Sequence, residues 1–267
     1  MKILDKDGQR YPLLISMHKS GSTWINSYIH KKFRKIGLTA PPRNLYNEFF
    51  PGRLNRHKEN LNSIFLKPSD KKRIELLEML RTFGLELNQK VHPDEIRDIW
   101  PWFKNFFKDY DILIVKRKNI FTHWLTILFF VCVYKATNKI DGIDNSAITP
   151  DKIVRPRDED VLKSTIQEYN VQFKFDQGEF NDFVSNIRFL NDVIIRELEQ
   201  PQVMWLEDIS TKWLENRYNV ILKTPPPQPF KTLDYKVYFK PEDMKVIQEK
   251  FKERFDAEFQ FFGYEYK

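Results

Sequence analysis

A tight turn of small and polar residues joins an apolar run to a helix-periodic segment near the start of the chain. The turn, residues 18–24, reads His-Lys-Ser-Gly-Ser-Thr-Trp and follows the apolar residues 11–16. From Trp24 onward, apolar side chains recur with the spacing of one helix face. A strand, a tight turn and a helix in this order present backbone N–H groups and a positive helix dipole to an anion. The turn therefore predicts a phosphate site.

Charged and hydroxyl side chains occupy this turn: Lys19, Ser20, Ser22 and Thr23. In the usual nucleotide-triphosphatase loop, Lys follows the second Gly, whereas here Lys19 precedes Gly21. A Mg-ATP site is therefore disfavoured. Turns of Ser, Gly and Thr also cap many helices, so a helix cap without a ligand stays open as the alternative.

Length and composition bound the class of protein. The chain has 267 residues, of which 41% are apolar, and this is enough for one sizeable domain. The single cysteine, Cys132, excludes an intramolecular disulfide. No secretory pattern follows Met1, and the longest apolar run, residues 120–134, is too short to span a bilayer. We therefore expect a cytoplasmic protein without a membrane span.

The net charge of +7 is concentrated in one part of the chain. Residues 31–73 hold twelve Lys and Arg against three Asp and Glu, a formal charge of +9. A solvated basic face explains this, and so does a surface that attracts an anionic cofactor or acceptor. Nucleic acid is not the expected partner, because basic and aromatic residues do not interleave as in a base-stacking platform.

Apolar runs alternate with helix-periodic segments along the chain. Strands are expected at residues 11–16, 85–91, 111–115 and 203–206. Helices are expected directly after the turn, from Pro93 onward, and after the strand at 111–115 as far as Val133. Two more are expected over 180–198 and over 241–259. This order predicts an α/β fold, a parallel sheet of phosphate-loop type that is flanked by helices.

A single domain over residues 1–267 is expected, with insertions at 39–72 and 137–178 that interrupt the alternation. Loops at the mouth of a crevice often carry function, so both insertions are candidates for capping the crevice and binding the acceptor. Ordinary surface loops are the alternative. Ligands of parallel sheets bind beyond the carboxyl ends of the strands, which would bring the turn, His92 and Arg117 to one crevice.

Lys90 and His92 close the second predicted strand, and strand alternation puts them on the same side. A histidine near a phosphate site can deprotonate an acceptor hydroxyl, which is worth about 10²–10⁴ in rate. A strand-end histidine that caps the helix at Pro93 is the alternative.

Arg117 follows the third predicted strand, and Thr126 lies in the next helix. Arg binds phosphate through two parallel donors, so Lys116, Arg117 and Lys118 suggest a second anion site. An Arg paired with a carboxylate is the alternative. Two anion sites at the ends of two strands suit a ligand with two phosphates, such as a 3′,5′-bisphosphorylated nucleoside.

Several other chemistries lack their motifs. The chain has no C-x-x-C, no H-E-x-x-H and no acidic calcium loop, so no metal is expected. The absence of G-x-S-x-G disfavours a serine hydrolase, and the absence of a glycine fingerprint disfavours a dinucleotide fold.

Four segments in order resemble the sulfotransferases that use 3′-phosphoadenosine-5′-phosphosulfate (PAPS). The turn at 18–24 is similar to the family signature Y-P-K-S-G-T-T-W, and Lys-Val-His-Pro at 90–93 is similar to K-T-H-L-P. Arg117 and Thr126 resemble the Arg and Ser of the second signature. Trp-Leu-Glu-Asp at 205–208 resembles the strand end Y-E-D.

The resemblance implies a role for each matching residue. The 5′-phosphosulfate would be held by Lys19, Ser20, Gly21, Ser22 and Thr23. Trp24 would stack on adenine, and Arg117 with Thr126 would bind the 3′-phosphate.

The remaining implied roles concern the transfer itself. His92 would be the base for an acceptor hydroxyl or amine, Lys90 would support the sulfuryl group, and Lys19 would neutralise the leaving oxygen. Lys231 is a candidate for the family's C-terminal 3′-phosphate contact. The product would be 3′,5′-adenosine bisphosphate (PAP), and the reaction requires no metal.

Two other functions stay open, a phosphate-loop kinase and a non-enzymatic basic protein that binds glycan or nucleic acid. The acceptor would be a small molecule or a glycan, and the basic segment at 31–73 favours an anionic one. The sequence does not indicate an oligomeric state.

Overall fold

The computed structural model describes residues 10–33, 74–75, 77–78, 81–82, 89–137, 159–222, 235–255 and 259–266. Within them the chain is an α/β protein with a four-stranded parallel sheet flanked by helices. The strands are β1 (Pro12–Ser16), β2 (Gln89–Val91), β3 (Asp111–Lys116) and β4 (Gln202–Trp205), in the spatial order β2-β1-β3-β4. The predicted α/β class and parallel sheet are confirmed.

The helices of the described residues alternate with these strands. They are α1 (Ser22–Phe33), α2 (Pro93–Ile96), α3 (Trp100–Phe106), α4 (Ile120–Thr137), α5 (Glu159–Glu168), α6 (Gln177–Arg188), α7 (Ile195–Glu197), α8 (Thr211–Tyr218) and α9 (Pro241–Arg254). Short 3-10 helices cover Arg97–Ile99, Leu206–Asp208 and Tyr235–Tyr238. No helix of the described ranges is long and apolar enough to cross a membrane.

The chain packs into two compact units. The first comprises Met1–Arg117 and Asn186–Lys231, and the second comprises Lys118–Ser185 and Thr232–Lys267. The whole sheet belongs to the first unit. The predicted insertion at 39–72 lies outside the described residues, and the one at 137–178 is described at residue 137 and from residue 159 onward.

The two interior strands form the core of the first unit. Every residue of β1 is buried, and β3 is buried from Ile112 onward. Strands covered on both faces are continuous apolar runs instead of alternating ones, which is why both were readable in the sequence. Parallel pairing aligns Ser16 with Val115 and Ile15 with Val91, so the carboxyl ends of three strands lie at one edge.

An ion pair joins α8 to the opposite edge of the sheet. The Arg217 guanidinium donates to both carboxylate oxygens of Asp111, at 2.8 and 2.6 Å. The helix begins at a cap in which Ser210 accepts from the backbone N–H of Trp213, at 3.0 Å. It ends at Asn219, which adopts a left-handed conformation with φ of 50°.

The predicted helix over 180–198 is not one regular helix. It consists of α6, a π-helical segment at Phe189–Ile194 and α7. The Asn191 side chain donates to the carbonyl of Ile187, at 2.7 Å, and the N–H of Ile195 bonds to Leu190, five residues back. A side chain that takes a carbonyl out of the regular ladder widens the turn, and periodicity alone does not reveal this.

An aromatic cluster forms the core of the second unit. Phe251 of α9 lies 5.1 Å from Phe121 and 5.9 Å from Phe180, measured between ring centroids. The segment 259–266 closes this core, because Phe259 lies 5.4 Å from Phe251 and its strand-like end bonds to Lys118. Aromatic pairs at such distances add about 0.5–1.5 kcal/mol each beyond area burial.

Candidate active site

The turn after β1 has an alternating backbone conformation. Lys19 has φ of 59° and Gly21 has φ of 76°, and Ser20 between them is not left-handed. Alternation of this kind turns successive N–H groups toward one point and makes an anion-binding concavity. A left-handed lysine costs of order 1–3 kcal/mol, and such strain clusters at binding sites.

Helix α1 begins immediately after this concavity. Its first intrahelical bonds run from the N–H groups of Trp24 and Ile25 to the carbonyl of Gly21, at 3.0 and 3.3 Å. The N–H groups of Ser22 and Thr23 precede those bonds, so they point out of the helix start. The first turn carries no acidic side chain, which leaves the positive end of the helix dipole available to an anion.

Ser20 has a structural part in the turn. Its hydroxyl is buried and donates to the carbonyl of Met17, at 2.5 Å. This bond closes the turn on itself and leaves the backbone, rather than the hydroxyl of Ser20, to face a ligand.

His92 lies beside the turn because β2 pairs with β1. Its Nδ1 is 2.5 Å from the carbonyl oxygen of Ser16. A carbonyl only accepts, so Nδ1 carries the hydrogen and the lone pair of the neutral ring is on Nε2. His92 is also the cap residue of α2, in a capping box with Glu95.

A second histidine stacks on the first. The ring centroids of His18 and His92 are 3.8 Å apart, and the rings are inclined by 35°. The Nε2 of His18 lies 3.1 Å from a carboxylate oxygen of Asp94. Burial raises the pKa of Asp94, but the charge and hydrogen bond of His18 and the charge of His92 outweigh it and hold that pKa well below its usual range.

Glu95 completes this cluster from the first turn of α2. Its side chain is buried, and its Oε2 accepts from the backbone N–H of His92, at 2.8 Å. The donor atoms of His18, His92 and Glu95 all lie within 4.8 Å of one another. Two imidazoles and two carboxylates therefore surround the end of β2.

Arg117 lies one residue beyond β3 at the same edge of the sheet. It is buried, and its Nε lies 3.9 Å from a carboxylate oxygen of Glu207. This separation exceeds that of a hydrogen bond, so the two groups form a loose ion pair. A phosphate that reached Arg117 would compete with Glu207 for the guanidinium.

Lys116, the last residue of β3, has different partners from Arg117. Its Nζ donates to Asn191, at 2.8 Å, and lies 4.5 Å from the ring centroid of Trp205. Burial lowers the pKa of the Lys116 ammonium to about 8. Lys116 and Arg117 therefore occupy two different environments, although the sequence suggested one joint anion site.

The other predicted site residues have varied positions. Lys90 is buried in β2. Trp24 is 3% exposed and meets Tyr28 edge-on, at 6.4 Å between centroids, as a core side chain does. Thr126 belongs to the second unit, where its hydroxyl donates to the carbonyl of Thr122, at 2.8 Å. Lys231 lies outside the described residues.

Sequence reasoning did not assign His18, Asp94 or Glu95 to the site. A signal for all three was present, because parallel strands bring the residues after their carboxyl ends together. His18 follows β1, and Asp94 and Glu95 follow the paired β2.

Comparison of the chain with family models, with curated proteins and with solved structures finds no match.

The lowered pKa of Lys116 predicts a specific dependence of stability on pH. The folded chain releases this proton near pH 8, whereas an ordinary lysine keeps it to about 10.5. Between those pH values the unfolded chain binds more protons than the folded chain, so the free energy of unfolding increases as the pH rises. Lys116→Met should lack this gain in urea titrations at pH 7.5 and 10.

The exposed Lys212→Met variant serves as the control and should keep the gain. An equal pH dependence in Lys116→Met and the parent chain would show that the ammonium is not desolvated.

Proposed function

We propose that this chain transfers a sulfuryl group from PAPS to an acceptor hydroxyl or amine and releases PAP. The observation that carries the proposal is the contact between the left-handed turn at Lys19 and the end of β2 at His92. The turn at Lys19 would then hold the donor while His92 acts as general base on the acceptor beside it, as in-line transfer requires. The resemblance of both segments to sulfotransferase signatures supports this function.

The turn would bind the 5′-phosphosulfate as a phosphate-binding loop. The N–H groups of Ser22 and Thr23 would donate to the anion, and the positive end of the helix dipole would favour its charge. Lys19 would stabilise the negative charge that develops on the leaving phosphate oxygen, and such prearranged charge stabilisation is often the largest catalytic contribution.

Arg117 would bind the 3′-phosphate of the same nucleotide. The paired residues Ser16 and Val115 are neighbours across the sheet, and strands lie about 4.8 Å apart. Lys19 is three residues beyond Ser16, and Arg117 is two beyond Val115. Their Cα atoms therefore lie at most about 10 Å from Ser16 and about 7 Å from Val115, respectively. A phosphate would replace the loose contact to Glu207 with a bidentate one.

His92 would act as the base through Nε2. The Ser16 carbonyl holds the hydrogen on Nδ1, so the Nε2 lone pair can take the acceptor proton. The acceptor oxygen then bonds to sulfur, and the bond from sulfur to the 5′-phosphate oxygen breaks. Lys90, at the end of the same strand, would support the sulfuryl group during this exchange.

The donor site consists of named residues, whereas the acceptor is defined only by its chemical class. A small molecule or glycan that carries negative charge fits the basic segment at 31–73. Thr126 and Lys231 keep the roles that the resemblance implies as sequence predictions only. Trp24 is not included, because its ring is packed in the core.

Binding of PAP tests the donor site. Saturation at about 100 times Kd should stabilise the chain by roughly 2.7 kcal/mol, measured as a rise in Tm. Lys19→Ala should lose most of this rise, whereas Lys31→Ala on the exposed side of α1 should retain it. No rise in the parent chain at saturating PAP would eliminate the proposed donor.

The role of His92 is tested by His92→Ala with labelled PAPS and an acceptor identified by screening. The variant should still bind PAP but transfer about 10²–10⁴ times more slowly at neutral pH. The transfer rate of the variant should recover with rising pH, because hydroxide ion then takes the acceptor proton in place of His92. Near-normal transfer at neutral pH would exclude His92 and make Glu95 the next candidate.

A further inference from the structure

We propose that His18, His92 and Glu95 form a binding site for a divalent transition metal, represented by Zn²⁺. The three side chains come from the turn after β1 and from the start of α2. One ring nitrogen of each histidine and one carboxylate oxygen of Glu95 lie within 4.8 Å of one another. Two imidazoles and one carboxylate are a ligand set that Zn²⁺ uses when it keeps an open position.

The two rings are oriented as metal ligands usually are. A ligating histidine donates its other N–H to a carbonyl or a carboxylate. His92 does so to the Ser16 carbonyl, at 2.5 Å, and His18 faces the Asp94 carboxylate through Nε2, at 3.1 Å. These partners direct the lone pairs to Nε2 of His92 and Nδ1 of His18.

The inclination of the rings is compatible with a shared ion. A metal lies in the plane of each imidazole that binds it, so parallel stacked rings cannot share one. The planes of His18 and His92 are inclined by 35°, so the two rings have to rotate further apart before one ion can lie in both planes. Ligand atoms on one Zn²⁺ stand roughly 3.3 Å apart, given bond lengths of about 2.0–2.1 Å, so binding requires the side chains to rotate toward a common point.

Charge and position favour the ion as well. Asp94 and Glu95 place two carboxylates beside the two rings, which offsets the charge of a divalent cation. The backbone N–H of His92 donates to Oε2 of Glu95, and this bond also limits where the second carboxylate oxygen can lie. The site is thus built from residues whose orientation is already determined.

Metal binding would oppose the proposed transfer reaction. The ion would take the Nε2 lone pair of His92, which is the pair that accepts the proton from the acceptor. Zn²⁺ would therefore inhibit the transfer. This consequence rests on the proposed function, whereas the metal site itself does not.

Direct binding of Zn²⁺ to the untagged chain tests the site by competition with a chromophoric chelator. The parent chain should bind one Zn²⁺ per chain through His18, His92 and Glu95. His18→Phe keeps the ring stack but removes the donor, and Glu95→Gln keeps the contact to the His92 backbone but removes the charge. Each should weaken binding by more than about tenfold, and Asp94→Asn by about 10–100-fold, as for orienting partners.

The exposed Asp98→Asn variant is the control and should bind as the parent chain does. Absence of Zn²⁺ binding by the parent chain, or binding that survives both His18→Phe and Glu95→Gln, would overturn the site. The rise in Tm with PAP, measured in the presence of a chelator, reports on the donor site separately. The metal site and the proposed function can therefore fail independently.

Discussion

The hydrogen bond from Nδ1 of His92 to the carbonyl of Ser16 is the contact on which the site depends. It joins the end of β2 to the end of β1, at 2.5 Å, where the left-handed turn begins. It also decides which nitrogen of His92 keeps the lone pair. The proposed base, the proposed metal ligand and the stack with His18 all follow from that one orientation.

Parallel pairing explains how much of this was visible in the sequence. The buried runs of β1 and β3 and the helix start at Pro93 are local patterns, and they were predicted correctly. The meeting of His18 with Asp94 is not local, because it depends on the register between β1 and β2. Periodicity reports which residues share a face, but not which partner faces them.

Two neighbouring cations show the same limit in electrostatic terms. Lys116 and Arg117 read as one basic cluster in sequence. In the fold, Lys116 is enclosed by Asn191 and Trp205, and Arg117 approaches Glu207. Asn191, which binds Lys116, lies in the π-helical segment, and its own side chain donates to the Ile187 carbonyl. Burial and pairing of charges are decided by such tertiary contacts.

The central claim is that the turn at Lys19 and the guanidinium of Arg117 hold two phosphates of one nucleotide. Calorimetric titration with PAP and with adenosine 5′-phosphate, for the parent chain and for Arg117→Ala, tests it most directly. The parent chain should prefer PAP by the roughly 1.5–3 kcal/mol of a hydrogen bond to a charged group. Arg117→Ala should lose this preference and bind adenosine 5′-phosphate as the parent does. A variant that keeps the full preference for PAP, or loses both ligands equally, would contradict the claim.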